Sequence, residues 1–129
     1  MLTYLLVALG GAIGSAARLW LSIYVATLVG LTFPWGTILI NVLGSLIIGF
    51  FGTLTGPDGR IGVPINARAF VMVGLCGGFT TFSAFSLQTL DLTRDGRLFQ
   101  AGANIVLSVV LCLTAVALGH WLAALFGRA

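Results

Sequence analysis

Four long apolar segments make up most of this chain, and short polar stretches separate them. The segments cover about 2–29, 34–54, 66–90 and 98–126. Each is near or above the ~20 residues that an α-helix needs to cross a bilayer. Because the hydrocarbon core offers no water to bind free backbone groups, such segments must be helical. We therefore predict an all-α membrane protein in which residues 1–129 form a single domain of four transmembrane helices.

Charged residues are too few to cover a water-facing surface. They make up 7% of the chain, whereas soluble domains carry about 25%. The basic residues are all Arg and are scattered at segment ends, so no basic stripe indicates a nucleic-acid partner. We expect the first apolar run to be a span and not a cleaved signal, because it lacks a basic leader and exceeds the ~7–15 apolar residues of a signal.

The arginines favour neither orientation in the membrane. Four spans place both termini on one side, which collects three arginines: Arg60, Arg68 and Arg128. The other side collects Arg94 and Arg97, with Arg18 near it. The cytoplasmic excess of Lys and Arg that usually sets topology is therefore nearly absent. We predict insertion in both orientations; the alternative is that a small residual bias fixes one.

The middle of the third segment is unusual for a lipid-facing helix. Gly77 and Gly78 are adjacent, and glycine lowers the cost of leaving helical geometry. Hydroxyl residues follow them and can bind the backbone groups that a break releases: Thr80, Thr81, Ser83 and Ser86. Interrupted helices often present carbonyls and helix ends to ions. We predict a break here, although composition equally allows a continuous helix whose glycines admit a neighbouring helix.

Other polar and aromatic positions have two readings each. Phe82 and Phe85 share a helix face and could turn their positive ring edges to an anion, or simply pack. Asn41 offers two amide donors to an anion or to a neighbouring helix. The fourth segment contains a faint line of polar residues spaced four apart: Asn104, Ser108 and Cys112. Small residues four apart allow close helix packing, within or between subunits: Gly10 and Gly14, Gly11 and Ser15, Ser45 and Gly49.

Three motifs in this order resemble those of the CrcB/Fluc fluoride channels. They are Gly-Gly-Ala-Ile-Gly-Ser-Ala-Ala-Arg over 10–18, the Gly36-Thr37…Asn41…Gly44 segment, and Gly-Gly-Phe-Thr-Thr-Phe-Ser-Ala-Phe over 77–85. The resemblance covers all four spans. It implies an antiparallel, dual-topology homodimer with two ion pathways and a central structural sodium ion. It also implies passive export of fluoride across a microbial cytoplasmic (inner) membrane.

The resemblance further implies roles for individual residues. The backbone carbonyls of Gly77 and Thr80 from both subunits would hold the sodium ion. The fluoride pathway would be formed by aromatic, amide and hydroxyl groups with a polar vestibule: Phe82, Phe85, Asn41, Thr81, Ser83, Ser108 and Arg18. The chain departs from the family at Ala84, where Thr is frequent, and at Asn104, where some members have an aromatic residue.

The neutral donors suit passive conduction of a strongly hydrated anion, because conduction requires binding that is weak enough for the ion to leave. The main alternative among transporters is a small multidrug exporter. Such exporters resemble one another in having a membrane-embedded Glu, and this chain has no Glu. A rival of another class is a non-conducting assembly subunit, in which the polar residues only pack. An enzyme is disfavoured because no span groups an acid, a base and a nucleophile.

Overall fold

The computed structural model describes residues 1–57, 59 and 61–126 and is all-helical in those parts. Its helices are α1 (Leu2–Val29), α2 (Trp35–Leu54), α3 (65–79), α4 (Phe82–Arg94) and α5 (Leu98–Phe126). The expectation of an all-helical chain with four long apolar helices, the third of them bent, is confirmed. Arg60 and Arg128, two of the arginines in the prediction of orientation, lie outside the described residues.

The burial pattern is that of a protein with lipid as its solvent. Large apolar side chains point outward, for example Leu113 and Val106, which are 64% and 60% exposed. Some polar side chains in the spans are buried, such as Thr37 and Ser108, and Asn104 has no exposed surface at all. In the described part of the chain, four helices are long and apolar enough to cross a membrane, with α3 and α4 together forming the third span.

Glycines bring the backbones of α1 and α3 into direct contact. A Cβ on Gly10 would lie 2.7 Å from Phe70 O and 3.0 Å from Gly74 Cα, so only hydrogen fits there. The pairing of Gly10 with Gly74, and of Gly11 with Gly78, shows that the two helices run in the same direction. Gly10 and Gly14, one pair of the small-residue pattern on the first span, therefore serve packing within one chain.

Helices α2 and α5 make a second close pair. A Cβ on Gly49 would lie 3.0 Å from Val116 Cα, and Thr53 Oγ1 is 2.9 Å from His120 Nδ1. These two helices also run in the same direction. At one end of the molecule, the Arg97 guanidinium donates to the Thr32 carbonyl and joins the α1–α2 loop to the α4–α5 loop. Successive spans thus alternate in direction.

The third span is interrupted at Thr80 and Thr81. α3 is α-helical over Ile65–Ala69 and Gly77–Phe79 and π-helical over Phe70–Cys76. Thr80 (φ −80°, ψ 158°) and Thr81 (φ −153°, ψ 112°) are extended, whereas Gly77 keeps helical angles. The chain leaves the helix after the two glycines and not at them. Gly78 instead serves the contact with α1, where its Cβ would lie 2.5 Å from Gly11 O.

Candidate functional site

A cavity of about 410 Å³ opens beside the interruption, and we call it the central groove. Helices α2, α3, α4 and α5 all contribute to its wall. It collects most of the residues that the sequence singled out: Asn41, Gly77, Thr80, Thr81, Phe82, Phe85 and Ser108. Ser83 and Arg18 are not among its lining residues. The groove is therefore the candidate site, built from an amide, hydroxyls, aromatic rings and backbone groups.

The Asn41 amide holds the extended backbone in place. Its Oδ1 accepts from Thr81 N at 2.8 Å, and its Nδ2 donates to Thr81 O at 3.1 Å. Both backbone groups of Thr81 would otherwise be unsatisfied in a membrane protein's interior, where each costs several kcal/mol. Asn41 thus replaces the helical ladder at the interruption. One Nδ2 hydrogen remains for another acceptor, since a primary amide carries two.

The threonine hydroxyls complete the two helix ends. Thr80 donates to Cys76 O through both its backbone N and its Oγ1, each at 2.9 Å, and closes α3. Thr81 Oγ1 accepts from Ala84 N at 3.2 Å, which makes Thr81 the N-cap of α4. Ser83, although outside the groove lining, places its Oγ 3.2 Å from Thr81 Oγ1. Hydroxyl residues after the glycines therefore stabilise the interruption together with Asn41.

The same interruption releases two carbonyls at the groove. In a continuous helix Thr81 N would donate to Gly77 O, but here it donates to Asn41. Ala84 N would likewise donate to Thr80 O, but here it donates to Thr81 Oγ1. Gly77 and Thr80 both line the groove, so their carbonyls are suitable ligands for a hard monovalent cation such as sodium. These are the residues that the resemblance assigned to sodium.

Phe82 and Phe85 form an aromatic pair at the start of α4. Their ring centroids are 5.2 Å apart and the ring planes are inclined by 47°. Phe82 is 77% exposed in the single chain, so its ring projects from the molecule beside the groove. An inclined pair of this kind can present ring edges, which carry partial positive charge, to the groove.

Two polar features were not anticipated from the sequence. Thr89 accepts a hydrogen bond from the buried Asn104, and its own hydroxyl donates to Phe85 O. A second cavity of about 240 Å³ lies at the loop end, lined in part by Thr37, Gln88 and Arg97 and not by Arg18. A Thr one turn after Phe85 was the available signal for the first feature. Gln88, an amide in an apolar span, was the signal for the second.

Comparison with known proteins gives a consistent result. The family model described as "CrcB-like protein, Camphor Resistance (CrcB)" matches residues 5–120. A curated relative from Methylocella silvestris, named "Fluoride-specific ion channel FluC", is 62% identical over 91% of this chain and 89% of its own length. Relatives of the same name from Rhodospirillum rubrum and Paramagnetospirillum magneticum are 60% and 59% identical. They cover 92% and 99% of this chain, and 92% and 100% of their own lengths.

Proposed function

We infer, because this chain belongs to the CrcB/FluC family of fluoride channels, that it is a fluoride-specific ion channel and not an enzyme. It is a multi-pass protein of a bacterial cytoplasmic membrane, and it lets fluoride leave the cell down its electrochemical gradient. The observation that carries this conclusion is about 60% identity to fluoride channels over nearly the full length, together with a groove of neutral donors beside an interrupted helix.

The proposed fluoride pathway follows the central groove. Fluoride must exchange its water for protein donors, and those donors must not hold it too firmly. The second Nδ2 hydrogen of Asn41, the Ser108 hydroxyl and the ring edges of Phe82 and Phe85 meet that requirement without a full positive charge. Thr81 and Ser83 contribute hydroxyls at the interruption, and Arg18 serves a vestibule nearer the membrane surface.

The proposed sodium site uses the released carbonyls of Gly77 and Thr80. These oxygens have lost their helical donors to Asn41 and to Thr81 Oγ1, so they are suited to a cation. When bound, sodium supplies positive charge beside the groove. This chain's contribution is to keep the two carbonyls out of the helical ladder.

The proposed assembly is an antiparallel homodimer of the single four-helix domain, residues 1–129, with two pathways. A single chain leaves the groove open and Phe82 largely exposed, so its site is incomplete without a covering surface. An inverted second copy covers both grooves at once, because a two-fold interface uses the same patch on each subunit.

Purified protein in fluoride-loaded liposomes tests the function directly. We expect rapid fluoride efflux without chloride efflux, because a single-file site of amide, hydroxyl and ring-edge donors has to replace the full hydration shell of a small anion. Fluoride-loaded liposomes without protein are the control. Absence of fluoride flux from folded protein would favour the non-conducting assembly subunit.

The same assay tests the aromatic pair. Phe82→Ile and Phe85→Ile keep apolar bulk but remove the ring edges. We expect each variant to lower fluoride flux about tenfold. A lost ring contact of about 0.5–1.5 kcal/mol raises the barrier to conduction by that amount, and its upper end corresponds to a tenfold change in rate. Trp121→Phe, on the exposed surface of α5, is the matched control. Unchanged rates in both Phe variants would remove the ring-edge mechanism.

Dual insertion and the dimer need separate measurements. Reporters of cytoplasmic and periplasmic location fused to the C-terminus are expected to give signal in both compartments, because the arginine balance is nearly even. Cross-linking in liposomes is expected to stop at two chains. A single reporter location, or a purely monomeric conducting protein, would refute the antiparallel dimer.

A further inference from the structure

A directed series of hydrogen bonds crosses from α5 to α4. Ser108 Oγ donates to Asn104 Oδ1 at 3.4 Å, and Asn104 Nδ2 donates to Thr89 Oγ1 at 2.8 Å. Thr89 Oγ1 then donates to Phe85 O at 2.8 Å. Asn104, in the middle of this series, has 0% exposure. The series therefore joins Ser108 and Phe85, two residues of the proposed pathway, through a fully buried amide.

The chemistry of the groups fixes the direction of the series. Thr89 has one hydroxyl hydrogen, which Phe85 O accepts, so Thr89 can only accept from Asn104. The amide nitrogen must then face Thr89 and the amide oxygen must face Ser108. The Ser108 hydrogen consequently points at Asn104, but over 3.4 Å, which makes this the weakest link. An anion in the groove can therefore attract this hydrogen away from Asn104.

Helix α4 has little else to fix its position. Leu92 is its only buried residue, and Phe82, at its start, is 77% exposed. Its beginning is held through the pairing of Thr81 with Asn41. About two turns later, the bond from Asn104 to Thr89 is the next polar attachment. The position of Phe85 between these two points thus depends on both.

We propose that Asn104 is a positioning residue for conduction. Through Thr89 it fixes α4, and so the ring of Phe85 at the groove; through its carbonyl it sets the resting direction of the Ser108 hydroxyl. The inference rests on the proposed function, since it gives Phe85 and Ser108 their places on the fluoride path. It makes Asn104 a determinant of two separable properties, ring position and hydroxyl direction.

The two properties predict different kinetic effects. Thr89→Val removes the link to α4 but leaves Ser108 bonded to Asn104, so we expect the maximal fluoride flux to fall about tenfold with an unchanged half-saturating concentration. Asn104→Leu removes both links and is expected to change both quantities. Thr89→Ser keeps the hydroxyl and should restore maximal flux to within about twofold. The double variant Thr89→Val/Asn104→Leu should be no slower than Asn104→Leu alone.

The matched control is Thr114→Val. Thr114 also donates to a carbonyl one turn earlier, Val110 O at 2.7 Å, but it is exposed on α5. Among the described residues, its hydroxyl takes part in no further side-chain hydrogen bond. Flux unchanged in Thr89→Val, or additive losses in the double variant, would overturn the proposal. So would a Thr114→Val effect as large as that of Thr89→Val.

Amide hydrogen exchange separates this proposal from the proposed function. In detergent-purified protein, Thr89→Val and Asn104→Leu are expected to speed exchange in α4, whereas Thr114→Val is not. This readout needs no conduction and retains its meaning if the wild-type protein carries no fluoride. Identical α4 exchange in wild type, Thr89→Val and Asn104→Leu would overturn the positioning role by itself.

Discussion

Asn41→Leu is expected to abolish conduction and to destabilise the fold by about 2 to 6 kcal/mol, because it leaves two buried backbone groups unsatisfied at about 1–3 kcal/mol each. The two groups are Thr81 N and Thr81 O, which Asn41 binds at 2.8 and 3.1 Å. If the chain instead avoids this penalty by returning Thr81 N to Gly77 O, the interruption closes toward continuous helix, and conduction is lost by that route as well. Fluoride flux should fall by about 100-fold or more.

Ser45→Ala is the matched control for this prediction. Ser45 lies one turn after Asn41 on the same face of α2, lines the same groove, and makes no side-chain hydrogen bond within the described residues. We expect Ser45→Ala to unfold at the wild-type temperature. Liposome flux and thermal unfolding in detergent check both variants. Asn41→Leu with near-wild-type flux and stability would show that the interruption needs no side-chain support.

Among substitutions that add a single methyl group to the first span, Gly14→Ala is expected to lower the stability of the fold the most. Its Cβ would approach the Leu75 carbonyl and would lie 2.8 Å from Phe79 N and 3.2 Å from Gly78 C. These are backbone atoms of α3 just before the interruption, so a change of side-chain rotamer cannot relieve the clash. Overpacking of this kind costs about 1–3 kcal/mol and occasionally more, and the shift of α3 should also lower fluoride flux.

Gly11→Ala provides a control three residues away. A Cβ on Gly11 meets nothing within 4 Å, and Ala is favoured over Gly in a helix by about 1 kcal/mol. Thermal unfolding and flux should therefore be at or above wild-type values in Gly11→Ala and clearly reduced in Gly14→Ala. Equal losses in the two variants would contradict the assignment of this glycine face to a contact within one chain.

Span positions were predictable because they depend on local composition. The first and last apolar runs coincide with α1 and α5, and the second helix begins at Trp35, one residue after Pro34. Hydropathy over a bilayer's thickness needs no knowledge of neighbours. The third span extends to Arg94, beyond the predicted end near Leu90, because the polar turns after Leu90 continue the helix outside the apolar stretch.

The exact place of the interruption was not predictable from glycine propensity. Gly77 and Gly78 stay helical, and Thr80 and Thr81 become extended instead. The missing side chain of Gly78 is used in the contact with α1. The deciding contact joins Thr81 to Asn41, forty positions away in sequence. Asn41 was recognised as a polar group with two possible roles. Its partner, the backbone of Thr81, comes within hydrogen-bond distance only when the helices pack, so the sequence alone does not reveal the pairing. The bond between Asn104 and Thr89 likewise joins two different helices and depends on how they pack.

The interruption of the third span has a consequence for how the site responds to acidity. The C-terminal end of α3 and the N-terminal end of α4 meet at the groove, and helix ends carry about half an elementary charge, negative and positive respectively. Opposite ions can thus be favoured side by side, and the described residues that line the groove include no carboxylate, amine or imidazole. Peptide groups neither gain nor lose protons in the physiological range. The electrostatic preference of this site is therefore permanent, and a cell that acidifies does not switch it off.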